Sequence, residues 1–97
     1  MPDAVSVAPH FYKILEENSR VRILEGRGKI GDVTGMHTHP RLVAIPLLDG
    51  KERFTSPNGD SVELEFTAGQ PVYAEAVEHS TEVLSDVTHV ILVELKG

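Results

Sequence analysis

Cysteine and tryptophan are absent from this chain of 97 residues, and aromatic residues make up only 5% of it. Without cysteine there is no disulfide framework and no thiolate metal site, so any bound metal must rely on nitrogen and oxygen donors. The same absence fits a cytoplasmic setting. No apolar run approaches the roughly 20 residues that span a bilayer. Met1 to Val5 carries neither a basic stretch nor an apolar signal core, so export is not expected. Basic residues are also scarce: Lys and Arg number 9 against 15 Asp and Glu, a formal net charge of −6. That balance repels nucleic-acid phosphates and anionic membrane surfaces alike.

What remains is an ordinary globular mixture, 40% hydrophobic and 25% charged. The length suits one domain over residues 1–97, with 1–19 as an N-terminal arm or edge strand. A chain this short builds a modest core, so burial against a partner is an expected source of stability.

Turn residues punctuate short alternating apolar runs, the pattern of an all-β sandwich or barrel. Phe11 to Ser19 reads as an apolar run leading into a polar stretch, with one or two helical turns as an alternative. Val21 to Glu25 alternates as a strand, and Gly26, Gly28, Gly31 and Gly35 are expected to break up the segment beyond it. Leu42 to Leu48 is a strand ending at Asp49-Gly50, a strong hairpin signal. Lys51 to Thr55 then returns, and Pro57-Asn58-Gly59-Asp60 turns into Ser61 to Phe66. In that strand Val62, Leu64 and Phe66 share one face, and Glu63 and Glu65 the other. After the turn at Ala68 to Pro71 come Val72 to Ala74, Glu78 to Leu84 and Val87 to Leu95. The last strand is apolar on both faces apart from Thr88, His89 and Glu94, which suggests that a second subunit, in a homodimer, covers its outer side.

His37-Thr38-His39 carries the main chemical signal. In an extended segment residues i and i+2 project from one face about 7 Å apart, so two imidazoles can converge on one ion. Pro40 places the pair at a strand end or edge. By itself the spacing also fits two exposed polar residues in a loop.

The surroundings extend the pattern. Gly31, five residues, the His37–His39 pair and then Gly50 resemble the first motif of the cupin superfamily, G-x5-H-x-H-x3,4-E-x6-G. Gly69 to His79 resembles the second, G-x5-P-x-G-x2-H-x3-N, one residue short and with Ala74 and Ala76 at its proline and glycine positions. Leu47 to Gly50, Pro57 to Gly59 and Val93 to Lys96 match short stand-alone cupins, so the likeness spans about Val21 to Leu95. It implies a double-stranded β-helix, two antiparallel sheets forming a small barrel with a metal in its open mouth. Carried over position by position, the ligands are His37, His39 and His79. The motif's glutamate falls on Val43, or on the neighbouring Ala44, and neither can ligate. Some cupin dioxygenases that cleave β-diketones also have a three-histidine site, a likeness of the site alone.

Three neutral imidazoles leave the full +2 charge on an ion, which favours an anionic oxygen donor in the open positions. The expected cofactor is one divalent ion, Fe²⁺ or Zn²⁺ foremost, with Ni²⁺ or Mn²⁺ also acceptable to imidazole. Binding is expected to fail as the histidines protonate near pH 6. Val43, Ile45, Phe54 and Val83 are the expected pocket lining. The resemblance supports two functions: a dioxygenase-like enzyme acting on a small anionic oxygenated molecule, or a non-catalytic cupin that binds a small molecule or metal. Glu75 is a candidate at the pocket mouth and Arg41 a candidate anchor for a carboxylate, though each also fits an exposed surface position. Tyr73 is expected to pack in the sheet, His89 to be a core or interface residue, and His10 to lie at the surface.

Overall fold

A computed structural model describes residues 3–97. One helical turn, α1 (Ala4–Val7), precedes nine strands among these residues: β1 (Tyr12–Glu17), β2 (Val21–Lys29), β3 (His37–His39), β4 (Leu42–Pro46), β5 (Gly50–Thr55), β6 (Ser61–Phe66), β7 (Val72–Ala74), β8 (Val77–Val83) and β9 (Val87–Leu95). Two antiparallel sheets, ordered β1-β2-β9-β4-β7 and β3-β8-β5-β6, face one another across the core. Two facing antiparallel sheets connected in this order form a double-stranded β-helix.

Alternation accounts for most strands. On β6 the apolar set faces inward, while Glu63 on the outer side meets Lys51 at 3.3 Å and Arg53 at 2.9 Å on β5. The β5–β6 hairpin closes through Gly59, whose φ of 92° is open to glycine and strained for other residues. On β4 the inward side chains are the buried Leu42, Ala44 and Pro46, whereas Val43 and Ile45 point to the outer face.

Three expectations from the sequence need correction. Phe11 to Ser19 holds no helical turn: Tyr12–Glu17 is the edge strand β1, paired with β2. Gly26 and Gly28 do not interrupt β2, which runs unbroken to Lys29, whereas Gly31 and Gly35 lie in the irregular stretch beyond it. The role of the first pair is clearance, because the buried ring of Phe11 lies against that part of β2. A Cβ on Gly28 would sit 2.6 Å from Phe11 Cε2 and 3.0 Å from Val83 Cγ2, whereas one on Gly26 would meet neighbours at 3.4 Å. Finally, Asp49-Gly50 does not close a hairpin: β4 pairs with β7 and β9, and β5 with β6 and β8. Here the chain crosses between sheets. Asp49 Oδ1 accepts the Ala68 N–H at 2.8 Å, and Gly50 passes close to Ser85 and Val87.

Strand β9 lies in the middle of its sheet, between β2 and β4. Its inner face buries Thr88, Val90, Leu92 and Glu94. On the outer face, Ile23, Val93, Val43 and Tyr73 stand in one register row across four strands, with Ile91 and Ile45 in the adjacent row.

Packing at Gly28 is the tightest of these glycine contacts. Gly28→Ala should cost about 1–3 kcal/mol of unfolding free energy through overpacking against Phe11. Gly26→Ala should cost less than about 1 kcal/mol, and urea denaturation of the two variants would show whether that order holds.

Candidate metal centre

The antiparallel register sets the site. His37 on β3 lies opposite His79 on β8, and His39 lies two residues further along the same inner face. Thr38 and Glu78 pair on the other side, so alternation collects all three imidazoles between the sheets. Their ring centroids are 4.9, 4.9 and 5.3 Å apart, and one nitrogen from each lies within 4.8 Å of the others.

Each ring is oriented by its neighbours. The Nδ1–H of His37 donates to the Gly35 carbonyl at 2.8 Å, which leaves Nε2 with its lone pair. Beyond it, the Tyr12 hydroxyl stands 3.4 Å from that Nε2. The Nδ1–H of His39 donates to Glu94 Oε2 at 2.7 Å, and both side chains are only 2% exposed. Arg22 grips Glu94 Oε1 through Nε at 2.7 Å and extends its guanidinium to the carboxylate of Asp3. The ring of Phe54 stacks on His79 at 4.8 Å. His79 Nε2 itself is buried and has no hydrogen-bond partner. A buried, orphaned imidazole nitrogen facing two similarly prepared rings fits a cation that accepts nitrogen lone pairs.

The electrostatics favour unprotonated ligands. Desolvation, then repulsion from His39 and His37, pulls the His79 imidazole down to about 3. Desolvation also lowers His37, with the Gly35 carbonyl opposing it. At His37 and His79, proton competition is therefore displaced below the pH 6 expected from free histidine. Burial raises the Tyr12 phenol well above its usual range, so it remains a hydroxyl.

Beside the histidines opens a cavity of about 410 Å³, within the range of small-molecule sites. Its walls include Leu42, Ala44, Phe54, Leu64 and Leu92, with His39, His79 and Glu52 as inner polar groups. Phe54 thus stands where the sequence pattern places it. Val43 and Ile45 do not: one-residue alternation puts them on the outer face, and Ala44 is the inward residue at the place where a motif glutamate would project. Val83 is fully buried in the core and forms no part of the cavity wall. Glu75 reaches the mouth, whereas Arg41 is exposed and lines no wall. Tyr73 is 53% exposed and its hydroxyl donates to Glu75 at 3.2 Å. His89 sits half-buried on the outer face, 2.7 Å from Glu25, and exposed His10 contacts the Val33 carbonyl.

Sequence reasoning missed Glu94, Arg22, Asp3, Tyr12 and Glu52. The available signal was charge in apolar context: Glu94 interrupts the apolar run Val90 to Leu95, and Glu52 shares an alternation face with Phe54.

Comparison with known proteins found no matching family model and no matching curated protein. Solved structures do match. A cupin domain protein from Bordetella pertussis Tohama I is 27% identical, covering 99% of this chain and 96% of its own, with a TM-score of 0.79. An RmlC-like cupin family protein with a double-stranded β-helix fold from Methanocaldococcus jannaschii is 15% identical over 88% of this chain and 78% of its own, at a TM-score of 0.66. A cupin superfamily protein from Desulfitobacterium hafniense is 13% identical over 89% and 76%, at 0.64. Among the described residues no helix is long and apolar enough to cross a membrane.

In metal-free protein the ring resonances of His79 should remain those of neutral imidazole at pH 5. An ordinary titration near pH 6.5 would contradict so desolvated an environment. Because the folded pKa is depressed, the unfolded chain takes up a proton that the folded pocket refuses. The contribution of His79 is thus intact above about pH 6.5 and is lost as pH falls from there toward 3. In urea denaturation at pH 7.5 and 5, His79→Leu should show a smaller fall in stability than the parent.

Proposed function

We propose that this small stand-alone cupin holds one divalent metal ion on His37, His39 and His79 and acts as a dioxygenase-like enzyme on a small anionic oxygenated molecule. The observation that carries the metal assignment is the buried, unpartnered Nε2 of His79 beside two rings whose Nδ1 atoms are already engaged. Imidazole suits Fe²⁺ and Zn²⁺ foremost, with Ni²⁺ and Mn²⁺ as further candidates. Bound there, an ion would supply Lewis acidity and, if iron, access to oxygen chemistry.

The chain's own residues do the rest. Glu94, clamped by Arg22, fixes the His39 ring and its tautomer. Apolar walls line much of the space beside the histidines. The Tyr12 hydroxyl, held protonated by burial, is a hydrogen-bond donor at the edge of His37. One observation favours the alternative, a non-catalytic binding protein. Burial keeps the cavity-lining Tyr12 hydroxyl protonated, so this phenol is not poised as an ionised base.

The outer apolar rows supply a second part of the proposal. Ile23, Val93, Val43 and Tyr73 form a register-aligned strip, and a two-fold axis would set it against the same strip of a second copy. A homodimer is the occupant this self-complementary face fits.

Purified protein should carry close to one divalent ion per chain, removable by chelation. The double variant His37→Ala, His79→Ala should carry none, and full occupancy in it would refute the assignment. Glu94→Gln should weaken metal affinity by about 10–100-fold while leaving the fold intact. Oxygen uptake by the iron-loaded protein across a panel of diketones and 2-oxo acids separates enzyme from binder. Light scattering should give twice the 10.6 kDa chain mass, with Val93→Glu shifting it to monomer; a monomeric parent protein would overturn the dimer.

A further inference from the structure

Glu94 and Glu52 are both buried between the sheets, in unlike company. Glu94 is matched by Arg22 and His39. Glu52, only 3% exposed, accepts a short hydrogen bond from Thr88 Oγ1, and among the described residues no Lys, Arg or His stands within ion-pair distance of it. Its side chain lines the cavity, as no Lys or Arg does. Burial raises the Glu52 carboxyl, with the Thr88 hydrogen bond opposing it.

Register places this group relative to the histidines. Glu52 lies opposite Val83 on β8 and Phe54 opposite Thr81. His79 is therefore four residues beyond the Glu52 level, roughly 13 Å along the strand. Phe54, stacked on His79, forms the wall between them. The cavity thus offers imidazoles at one backbone level and a carboxyl at another, with the Tyr12 hydroxyl as a further polar group and Leu42, Ala44, Phe54 and Leu92 as apolar walls.

We propose that Glu52 is the specificity-determining residue of the cavity, hydrogen-bonding an uncharged hydroxyl or carbonyl at the far end of a ligand with an apolar body. This deepens the reading of the cavity as a ligand site and rests on it, but it does not require the metal. A second anionic group would meet Glu52 inside and Asp60 and Glu75 at the mouth, with no lysine or arginine to balance it. A cationic group would require Glu52 to ionise where burial opposes that.

The test uses chelator-stripped protein and three probes of similar shape, 4-ethylphenol, 4-ethylbenzoate and 4-ethylbenzylammonium, titrated by NMR. The phenol should bind at least about ten-fold more tightly than either charged probe, because a desolvated charge without a partner is disfavoured. Amide shifts should centre on Glu52, Phe54 and Thr88. Glu52→Gln should keep the preference, since the amide still hydrogen-bonds, and Glu52→Leu should reduce it to within about three-fold. Glu52→Met provides a second apolar replacement should the leucine variant fold poorly. Preference for the ammonium probe, a phenol preference that survives the apolar variants, or no phenol binding would overturn the proposal. Zinc occupancy of the same preparation is read separately. Phenol selectivity without zinc binding would sink the metal assignment alone; zinc binding without selectivity would sink this inference alone.

Discussion

An ion pair whose carboxylate is almost wholly buried ties the ends of this fold to its centre. Arg22 and Glu94 face each other across β2 and β9, Asp3 joins from the residue that caps α1, and His39 reaches the same carboxylate from the opposite sheet. Removing two charges from water costs several kcal/mol per ion, so such a cluster persists only where every lone pair and proton is engaged. Here Glu94 uses both oxygens and Arg22 uses several of its donors. The cluster therefore acts less as a source of net stability than as a constraint. Only the register that aligns Arg22 with Glu94 also brings His39 to its partner, and a one-residue slip of β9 would turn Glu94 outward.

The same two-residue period explains what could be read from the residues and what could not. Strand positions from β6 to β9 came from short apolar or alternating runs bounded by turn residues, of which β9 is apolar on both faces. The His37–His39 pair was legible for the same reason: i and i+2 must share a face. His79 came through resemblance, and the β3–β8 register agrees with it. Local pattern failed where the determining contact lies far away in the chain. Gly28 reads as a breaker until Phe11 is known to lie on it. Asp49-Gly50 reads as a hairpin until Asp49 is seen capping Ala68, which lets the chain change sheets. On β4 every second residue is apolar on both faces, so alternation cannot tell inside from outside, and it sets Val43 and Ile45 on the wrong side.

That ambiguity has a chemical consequence. With Ala44 facing the histidines, no carboxylate enters the ligand set, and the negative charge nearest to it belongs to Glu94, behind His39. Counted with their formal charges, Asp3 and Glu94 against Arg22 leave one net negative charge there, separated from the cavity by an imidazole. A cation at the three rings would thus be countered from behind and left largely uncompensated in front. The front is apolar and free of lysine and arginine, so the cation itself would be the cavity's strongest attraction for an anionic oxygen. With a cation held there, the cavity would seek charge beside His39 and His79, while burial opposes charge at Glu52. A molecule satisfying both must carry its anionic oxygen at one end, its uncharged hydrogen-bonding group at the other, and little but carbon between.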